Sequence, residues 1–270
     1  MERTTDDGQR MTDSHAHLNH EQLVGDADEV VARALAAGVR LIVNVGFDVP
    51  SSQRAVEQAE RYDGVLAAVG IHPHDAKLLD EQAERELREL AGQPRVVAIG
   101  EVGLDFYRDL SPRPVQVEVF RRLLRLARDV GKPVIVHDRE AHEDVLAMLT
   151  QERAGEVGVI MHCFSGDLEY ARRCVEEGFY VGIAGPVTFG AKRGAPDGMT
   201  PLQQVAAEVP RDRLLIETDS PYLAPEPLRG RRNEPAYVRH VADKIAELRG
   251  ISAGEVAEAT TANLSRVLRL

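Results

Sequence analysis

The sequence predicts an α/β protein with the architecture of a (β/α)₈ TIM barrel. Eight short apolar segments alternate with longer amphipathic segments along the chain. Most of the apolar segments are rich in Val, Ile and Leu without polar alternation, which is typical of parallel strands covered on their outer face. Eight such units in 270 residues match the usual length of one barrel.

Each predicted strand is followed by a segment with helical periodicity. The predicted strands are Met11–His17, Leu41–Val45, Val65–Gly70, Val96–Glu101, Pro133–His137, Val159–His162, Tyr180–Ile183 and Leu214–Thr218. The predicted helices are Asp26–Ala37, Ser51–Arg61, Leu79–Leu90, Pro114–Val130, Glu140–Thr150, Asp167–Glu177, Leu202–Glu208, Pro235–Leu248 and Ser252–Leu268. Ser252 and Glu255 have the spacing of a capping box, which supports a helix start there.

The main alternative fold is a doubly wound open sheet, which usually carries a glycine-rich phosphate loop after its first strand. The sequence holds neither G-x-G-x-x-G nor G-x-x-x-x-G-K-[ST]. The barrel is therefore favoured, and in a barrel the loops that follow the strands build the functional site. The longest irregular stretch, Ala184–Thr200, follows the seventh strand and belongs to those loops.

Composition excludes several classes of protein. The chain has 33 Lys and Arg against 44 Asp and Glu, a net charge of −11, which argues against coating nucleic acid through bulk charge. Two cysteines cannot build a disulfide framework. No apolar run approaches the roughly 20 residues of a membrane span, and the polar start lacks a signal peptide. We expect a disordered lead at residues 1–10, one barrel domain at 11–270, a cytoplasmic location, and neither membrane contact nor an obligate protein partner.

Ionisable residues cluster where the predicted strands end. Six of the nine histidines lie at or just beyond the carboxyl end of a strand. They are His15, His17, His72, His74, His137 and His162. The carboxyl ends of the strands form the face on which barrel enzymes carry out chemistry. Random placement would instead scatter histidines over the helix surfaces.

A metal site is the interpretation that best accounts for this pattern. His15 and His17 are two residues apart, so on a strand both point to the same face and can hold one metal. The alternative is a pair of histidines near a turn. His137 and His162 each end an apolar run, where a single histidine is more often a satisfied core residue than a ligand. Two of them on neighbouring strands favour a shared role.

The ligand count predicts two metal ions. With the carboxylates Glu101 and Asp219, the set holds four imidazoles and two carboxylates, whereas one catalytic zinc needs about three protein ligands. Glu101 is on a central strand and is the expected bridge. The ligands expected for one ion are His15, His17 and Asp219. His137 and His162 are expected to hold the other. Two such ions activate a water and clamp the oxygens of a phosphoryl displacement.

The remaining candidates have weaker signals. His72 and His74 flank Pro73 and are candidates for substrate contact, although a turn near the surface is the simpler interpretation. His20, His142 and His240 are interpreted as solvated. Cys163 and Cys174 are interpreted as small buried hydrophobes, with Cys163 pointing away from the centre because it alternates with His162.

These motifs resemble the TatD family of metal-dependent hydrolases, TatD-like deoxyribonucleases of the amidohydrolase superfamily. The resemblance runs from Met11 to Leu270. It rests on DSHAHL, GIHPH, IGEVGLDFY, VIVHDREA, MHCFSG, ETDSPYL and RRNEPAYVRHVA, in that order. It implies a TIM barrel with two divalent ions on the same six residues. Only the stretch from Gly185 through Thr200 is longer than the family leads us to expect.

The resemblance also implies roles. Catalysis is assigned to Asp219, which accepts the proton of the attacking water, and to the bridging Glu101. Asp13 supports a metal-bound histidine, and Arg139 holds a phosphate. The implied activity is metal-dependent phosphodiester hydrolysis of DNA, trimming single strands from the 3′ end, with Zn, Mn, Mg, Ni or Fe. The alternatives are a deaminase or an amide or aminoacyl-ester hydrolase on the same site, and a non-catalytic nucleic-acid-binding protein.

Basic residues on the loops predict where a single strand of DNA would lie. They are Arg108, Arg113, Arg139, Lys192, Arg193, Arg229, Arg231, Arg232 and Arg239. They are expected to form a basic rim around the metals, with Tyr107, Phe164 or Tyr222 available for stacking. Solvated loops with pairing to Glu226 and Glu234 are the alternative interpretation.

Overall fold

The computed structural model describes residues 10–191 and 198–270. Residues 1–9 of the expected lead lie outside this range, as do residues 192–197 of the long loop. The disorder of the lead and the single-domain boundary at residue 11 stay predictions.

The strands form one parallel sheet in which each strand pairs with the next along the chain. They are β1 (Met11–Ala16), β2 (Val39–Val45), β3 (Val65–Val69), β4 (Val96–Asp105), β5 (Val134–Arg139), β6 (Val159–Met161), β7 (Tyr180–Ile183) and β8 (Leu214–Ile216). A parallel bridge between Ala16 and Ser220 joins β1 to the segment that follows β8. The amide of His17 donates to the Ser220 carbonyl at 2.8 Å, and the amide of Asp219 donates to the His15 carbonyl at 2.9 Å. The predicted barrel is therefore confirmed.

Helices cover the outside of the barrel. They are α1 (Glu21–Val24), α2 (Ala27–Ala36), α3 (Val49–Arg61), α4 (Glu81–Ala91), α5 (Arg113–Val130), α6 (His142–Gln151), α7 (Leu168–Glu176), α8 (Pro201–Glu208), α9 (Val238–Arg249) and α10 (Ala253–Leu268). Every predicted helix has a counterpart whose ends differ by at most three residues. The capping box of α10 forms as predicted, with the Ser252 hydroxyl accepting from the Glu255 amide at 3.2 Å.

Two elements near the carboxyl ends of the strands were not predicted. A 3₁₀ helix, Pro73–Leu78, follows β3, and β4 continues to Asp105 rather than ending at Glu101. The extension matters because Leu104 and Asp105 pair with Asp138 and Arg139 of β5. Asp105, the last residue of β4, therefore reaches the rim of the barrel. No described helix is long and apolar enough to cross a membrane.

Apolar side chains pack on both faces of the sheet, inside the barrel and between the sheet and the helices. Alternation places Val43 and Val45 in the inner cluster, whereas Ile42 belongs to the larger cluster beneath the helices. Leu264 and Leu268 of α10 join the inner cluster, so the last helix closes the end of the barrel opposite the functional loops.

Gly103 of β4 pairs with His137 of β5, and the two backbones are in close contact there. The φ of Gly103 is +147°, and a Cβ there would lie 1.9 Å from the carbonyl oxygen of His137. Gly103→Ala is therefore expected to lower the free energy of unfolding by at least about 2 kcal/mol, through backbone strain and a displaced strand.

Chemical unfolding of the metal-free protein measures this loss. Gly25→Ala is the matched control, because Gly25 has φ −72° and open space at the Cβ position. The control is expected to match or slightly exceed the wild-type stability. Equal stability of the two variants would show that the strand contact at Gly103 relaxes without cost.

Candidate functional site

A cavity of about 540 Å³ opens at the carboxyl ends of the strands. Its walls come from residues at or after β1, β2, β3, β4, β5, β6 and β8. The charged, imidazole and aromatic residues that line it are His17, His20, Phe47, His72, His74, Asp75, Glu101, Asp105, Tyr107, Arg108, His137, Asp138, Arg139, His162, Asp219 and Tyr222. The structure therefore brings the residues predicted from sequence to one place, with His15 buried beneath them.

Glu101 is the centre of this site. Its side chain is almost fully buried, and five histidines have a ring nitrogen within 4 Å of its carboxylate. The nitrogen-to-oxygen distances are 3.4 Å for His15, 3.6 Å for His17, 3.4 Å for His72, 2.8 Å for His137 and 3.8 Å for His162. One carboxylate therefore touches both halves of the predicted metal site, as a bridge must.

Four acceptor atoms converge on one side of Glu101. His15 Nε2 and His17 Nε2 are 3.2 Å apart, and His17 Nε2 lies 3.6 Å from Glu101 Oε2 and 3.5 Å from Asp219 Oδ1. Ligand atoms around a tetrahedral zinc are about 3.4 Å apart, given metal–ligand distances near 2.1 Å. The spacing therefore fits one divalent cation.

The hydrogen bonding supports the same conclusion. His17 Nδ1 donates to the Val45 carbonyl at 2.8 Å, so in the neutral ring it is Nε2 that carries the lone pair. That lone pair faces the carboxylates Glu101 and Asp219, and without a cation these acceptors repel one another. Neutral imidazole and carboxylate are ligands that suit borderline divalent metals. The residues present therefore fit a metal ion.

A second group lies on the other side of the same carboxylate. His137 Nδ1 is 2.8 Å from Glu101 Oε1, His72 Nε2 is 3.4 Å from it, and the two histidine nitrogens are 3.2 Å apart. His162 Nε2 lies between the groups, 3.8 Å from Glu101 Oε1 and 3.7 Å from Asp219 Oδ1. His72 is thus a further candidate ligand, in addition to the substrate contact predicted for it.

The pKa values reflect this crowding of charges. Burial alone would raise the pKa of Glu101, but the facing histidines, His72 foremost, hold it well below its ordinary value. The pKa of Asp219 is lowered likewise, since His162 and His17 outweigh the effect of burial. Burial lowers the pKa of His15 and that of His72 to about 4. Both carboxylates are therefore ionised and both of these imidazoles neutral at pH 7, which are the states that bind metal.

Carboxylates outside the ligand set orient two of the histidines. His137 Nε2 lies 3.1 Å from Asp105 Oδ2, which His74 Nε2 also approaches at 2.8 Å. His162 Nδ1 lies 2.9 Å from Oε1 of the fully buried Glu217. Although burial acts in the opposite direction, these carboxylates together with Glu101 and Asp219 raise the pKa of His137 to about 9 and that of His162 to about 10. Such partners fix the ring orientation of metal-binding histidines.

Asp13 acts through the backbone rather than on an imidazole. Its carboxylate accepts from the Thr218 amide at 2.9 Å, from the Thr218 hydroxyl at 2.6 Å and from the His15 amide at 3.3 Å. It therefore ties β1 to the segment after β8, the two places that supply His15 and Asp219. Its support of a metal histidine is thus indirect.

Several minor expectations are corrected. Cys163 lines the cavity instead of pointing away, because β6 ends at Met161 and Cys163 has φ +43°. His20 is not simply solvated, since its Nε2 lies 3.0 Å from the Tyr222 hydroxyl at the cavity wall. Phe164 is buried against Tyr170 and offers no open face.

Sequence reasoning overlooked Asp105 and Glu217. Asp105 lies four residues after Glu101 and Glu217 lies two residues before Asp219, and that placement was the available signal. It could not show the direction of either side chain, because β4 has a register shift between Ile99 and Val102 and β8 ends at Ile216.

The predicted basic rim is only partly available to a ligand. Arg108 and Arg139 line the cavity, and the Arg139 guanidinium lies 4.9 Å from the Tyr107 ring centroid. Arg232 is engaged by Asp26 at 2.6 Å, and Arg229 lies over the Phe189 ring at 4.4 Å. Lys192 and Arg193 fall outside the described residues. The expected pairing of the loop therefore forms between Arg229 and Glu226, at 3.9 Å, whereas Arg232 pairs with Asp26 and not with Glu234.

Fold and site together define a metal-dependent hydrolase built on a TIM barrel. The family model for TatD related DNase matches residues 12–269. The chain belongs to the TatD family, as the sequence motifs indicated.

Individual relatives agree with this assignment. The Bacillus subtilis protein named uncharacterized metal-dependent hydrolase YabD is 49% identical, with 96% of this chain and 98% of that protein covered. The Salmonella typhimurium protein named 3′-5′ ssDNA/RNA exonuclease TatD is 39% identical, with 94% of this chain and 96% of that protein covered. The crystal structure of YJJV, a TatD homologue from Escherichia coli K12, superposes with a TM-score of 0.89 at 29% sequence identity. The superposition covers 97% of this chain and 99% of that one.

Metal binding will stabilise the fold if the converging acceptors are a metal site. When Zn²⁺ or Mn²⁺ is added to chelator-treated protein at about 100 times its dissociation constant, the free energy of unfolding is expected to rise by about 2.7 kcal/mol. This rise corresponds to an increase in the melting temperature of about 5–10 °C. Glu101→Gln is expected to lose most of this shift, because an amide cannot bridge two cations. Thermal melts with and without metal measure it. Glu258→Gln, an exposed change on α10, is the control that keeps the full shift, and an equal shift in both variants would contradict the site.

Asp105→Asn tests the orientation of His137. Loss of the charged partner is expected to weaken metal affinity about 10–100-fold, because the ring is no longer held in its ligating orientation. Titration of the apo protein against a chromophoric chelator measures the affinity. Asp144→Asn, at an exposed position on α6, provides the matched control. Unchanged affinity in Asp105→Asn would show that packing alone orients His137.

Proposed function

We propose that this protein is a metal-dependent phosphodiesterase that trims single-stranded DNA from the 3′ end. The observation that carries the proposal is the bridging position of Glu101 between two groups of ligands. Two cations held by one bridge suit in-line displacement at phosphorus, whereas one cation suffices for many deaminations. The relative from Salmonella, named as a single-strand exonuclease, supports the same substrate class.

The proposed ligand sets follow the geometry described above. His15, His17, Asp219 and Glu101 would hold one cation. Glu101, His137 and His162 would hold the other, with His72 as a further candidate. Bound divalent ions supply Lewis acidity, which lowers the pKa of water and offsets the charge that develops on phosphoryl oxygens. The identity of the metal falls among Zn, Mn, Mg, Ni and Fe, and the histidine-rich set favours the borderline ions.

The protein's own groups position the reactants and move the proton. Asp219 is ionised at neutral pH, lines the cavity and accepts the proton of the attacking water at a carboxylate oxygen. Glu101 remains an anion throughout and keeps the two groups of ligands at a constant separation.

Arg139 contributes the anchor for a phosphate. It ends β5 two residues after His137, lines the cavity, and its guanidinium is held against the Tyr107 ring. A planar guanidinium fixed in this way presents paired donors to phosphate oxygens. Arg108 lines the same side of the cavity, so two guanidinium groups are available to the phosphates of the DNA strand. His74, whose Nε2 is held by Asp105, lines the cavity and is in a position to contact the substrate.

Cleavage of 5′-labelled linear single-stranded DNA tests the proposal, with Mg²⁺, Mn²⁺ or Zn²⁺ added. A ladder of products shortened one nucleotide at a time is expected, and a circular single strand of the same sequence is expected to stay intact because it has no end. Glu101→Gln is expected to lower kcat/KM at least about 1,000-fold, as loss of the bridge removes transition-state stabilisation. Glu258→Gln again serves as the control.

Other outcomes would overturn the assignment. Deamination of nucleosides with untouched DNA would favour an amidohydrolase-type activity on the same site. Binding of DNA without hydrolysis of any phosphodiester would favour a non-catalytic nucleic-acid-binding protein. Degradation of the circular strand would replace the exonuclease by an endonuclease.

A further inference from the structure

We infer that His20, Phe47 and Tyr222 form a stacking site for the nucleobase of the terminal nucleotide, and we name these three residues the aromatic wall. This inference rests on the proposed function and adds the position of the base. All three residues line the cavity beside the ligand group that contains His17. The ring centroid of His17 is 5.7 Å from that of Phe47 and 6.4 Å from that of Tyr222.

The aromatic wall is held in place before any substrate arrives. The amide of Gln22 donates to His20 Nδ1 at 3.2 Å, so that nitrogen carries no proton. The other nitrogen, His20 Nε2, therefore carries the hydrogen and donates it to the Tyr222 hydroxyl at 3.0 Å. His20 is thus neutral in this arrangement, and its hydrogen bond holds the Tyr222 hydroxyl at the cavity wall.

The backbone of Tyr222 is anchored to the same structure that presents Asp219. The Tyr222 amide donates to the Asp219 carbonyl at 2.9 Å, and the Asn233 side chain donates to the Thr218 and Tyr222 carbonyls at 2.8 and 2.6 Å. An aromatic ring fixed in this way binds a base with little loss of conformational entropy.

Tyr222 keeps an open surface despite these restraints, since 47% of its area is exposed. An exposed aromatic ring beside a catalytic cavity leaves apolar area in water that a stacked base would cover. Every base has a π face, so stacking on such a ring tolerates any sequence, which is what a general exonuclease requires.

Charge separates the two sides of the cavity. The strands are arranged in order around the barrel, so the ends of β4 and β5 lie opposite those of β8 and β1. Arg108 and Arg139 are on the β4–β5 side, where the carboxylate of Asp105 is paired with His74 and His137 and that of Asp138 with His142. No arginine or lysine among the described residues lines the cavity at the aromatic wall. A terminal nucleotide has one phosphate, at the metal centre, whereas the rest of the strand brings further phosphates. The base of the terminal nucleotide therefore belongs at the wall and the remaining strand on the arginine side.

The test compares two oligonucleotides that differ only in whether the 3′-terminal nucleotide carries a base. Wild-type protein is expected to remove the normal nucleotide with a kcat/KM about 10-fold above that for the abasic one, in line with the usual strength of base–aromatic stacking. Tyr222→Ala is expected to remove both at the wild-type abasic rate. Tyr222→Phe retains the ring and is expected to keep most of the preference.

Tyr107→Ala is the matched control, a truncation of an exposed tyrosine on the opposite side of the cavity. It is expected to keep the ratio between the two oligonucleotides, whatever its effect on each rate. An equal effect of Tyr222→Ala on both oligonucleotides, or a wild-type protein without preference for the base, would overturn the stacking site and leave the nuclease intact. Failure of the wild-type protein to cleave either oligonucleotide would overturn the nuclease and the stacking site together.

Discussion

The burial of the Glu101 carboxylate among five imidazoles is the constraint on which the site depends. Removing a carboxylate from water costs several kcal/mol unless charge or hydrogen bonds compensate it. Here the compensation comes from ring nitrogens between 2.8 and 3.8 Å away, which belong to residues from four separate strands or the loops after them. The rings of His15 and His72 are neutral and offer lone pairs rather than charge, so a divalent cation between the rings and the carboxylates would complete the compensation.

The barrel supplies the rigidity that this arrangement needs. Asp13 joins the ends of β1 and β8 through Thr218 and His15, at the point where the barrel closes. Close contact of β4 with β5 at Gly103 brings Glu101 and His137 together. Buried carboxylates behind His137 and His162 then set the rotation of each ring. A network held from several strands allows little movement of any one ligand, which is what a preorganised electrostatic site requires.

The acidic net charge of the chain and its proposed substrate are reconciled by where the charges lie. The formal charge is −11, yet many acidic side chains are exposed on the outer helices, as on α4 and α10. The cavity itself is lined by Arg108 and Arg139 and by five carboxylates, those of Asp75, Glu101, Asp105, Asp138 and Asp219. The divalent cations that the site would hold therefore decide whether it attracts a phosphate. Because screening limits long-range effects to about 10 Å, the local balance governs the capture of a strand end.

Apolar periodicity and strand-end positions determined the fold and the six candidate ligands from sequence alone, because in a parallel barrel residues at the carboxyl ends of strands share one mouth. The roles of Asp105, Glu217 and His72, and the open face of Tyr222, depended on the tertiary structure. Glu217, His72 and Tyr222 lie beyond the ends of their strands, and Asp105 follows a register shift in β4, so their directions follow from contacts between segments distant in sequence. The pairing of Arg232 with Asp26 likewise joins residues far apart in the chain, and local sequence holds no information about such a contact.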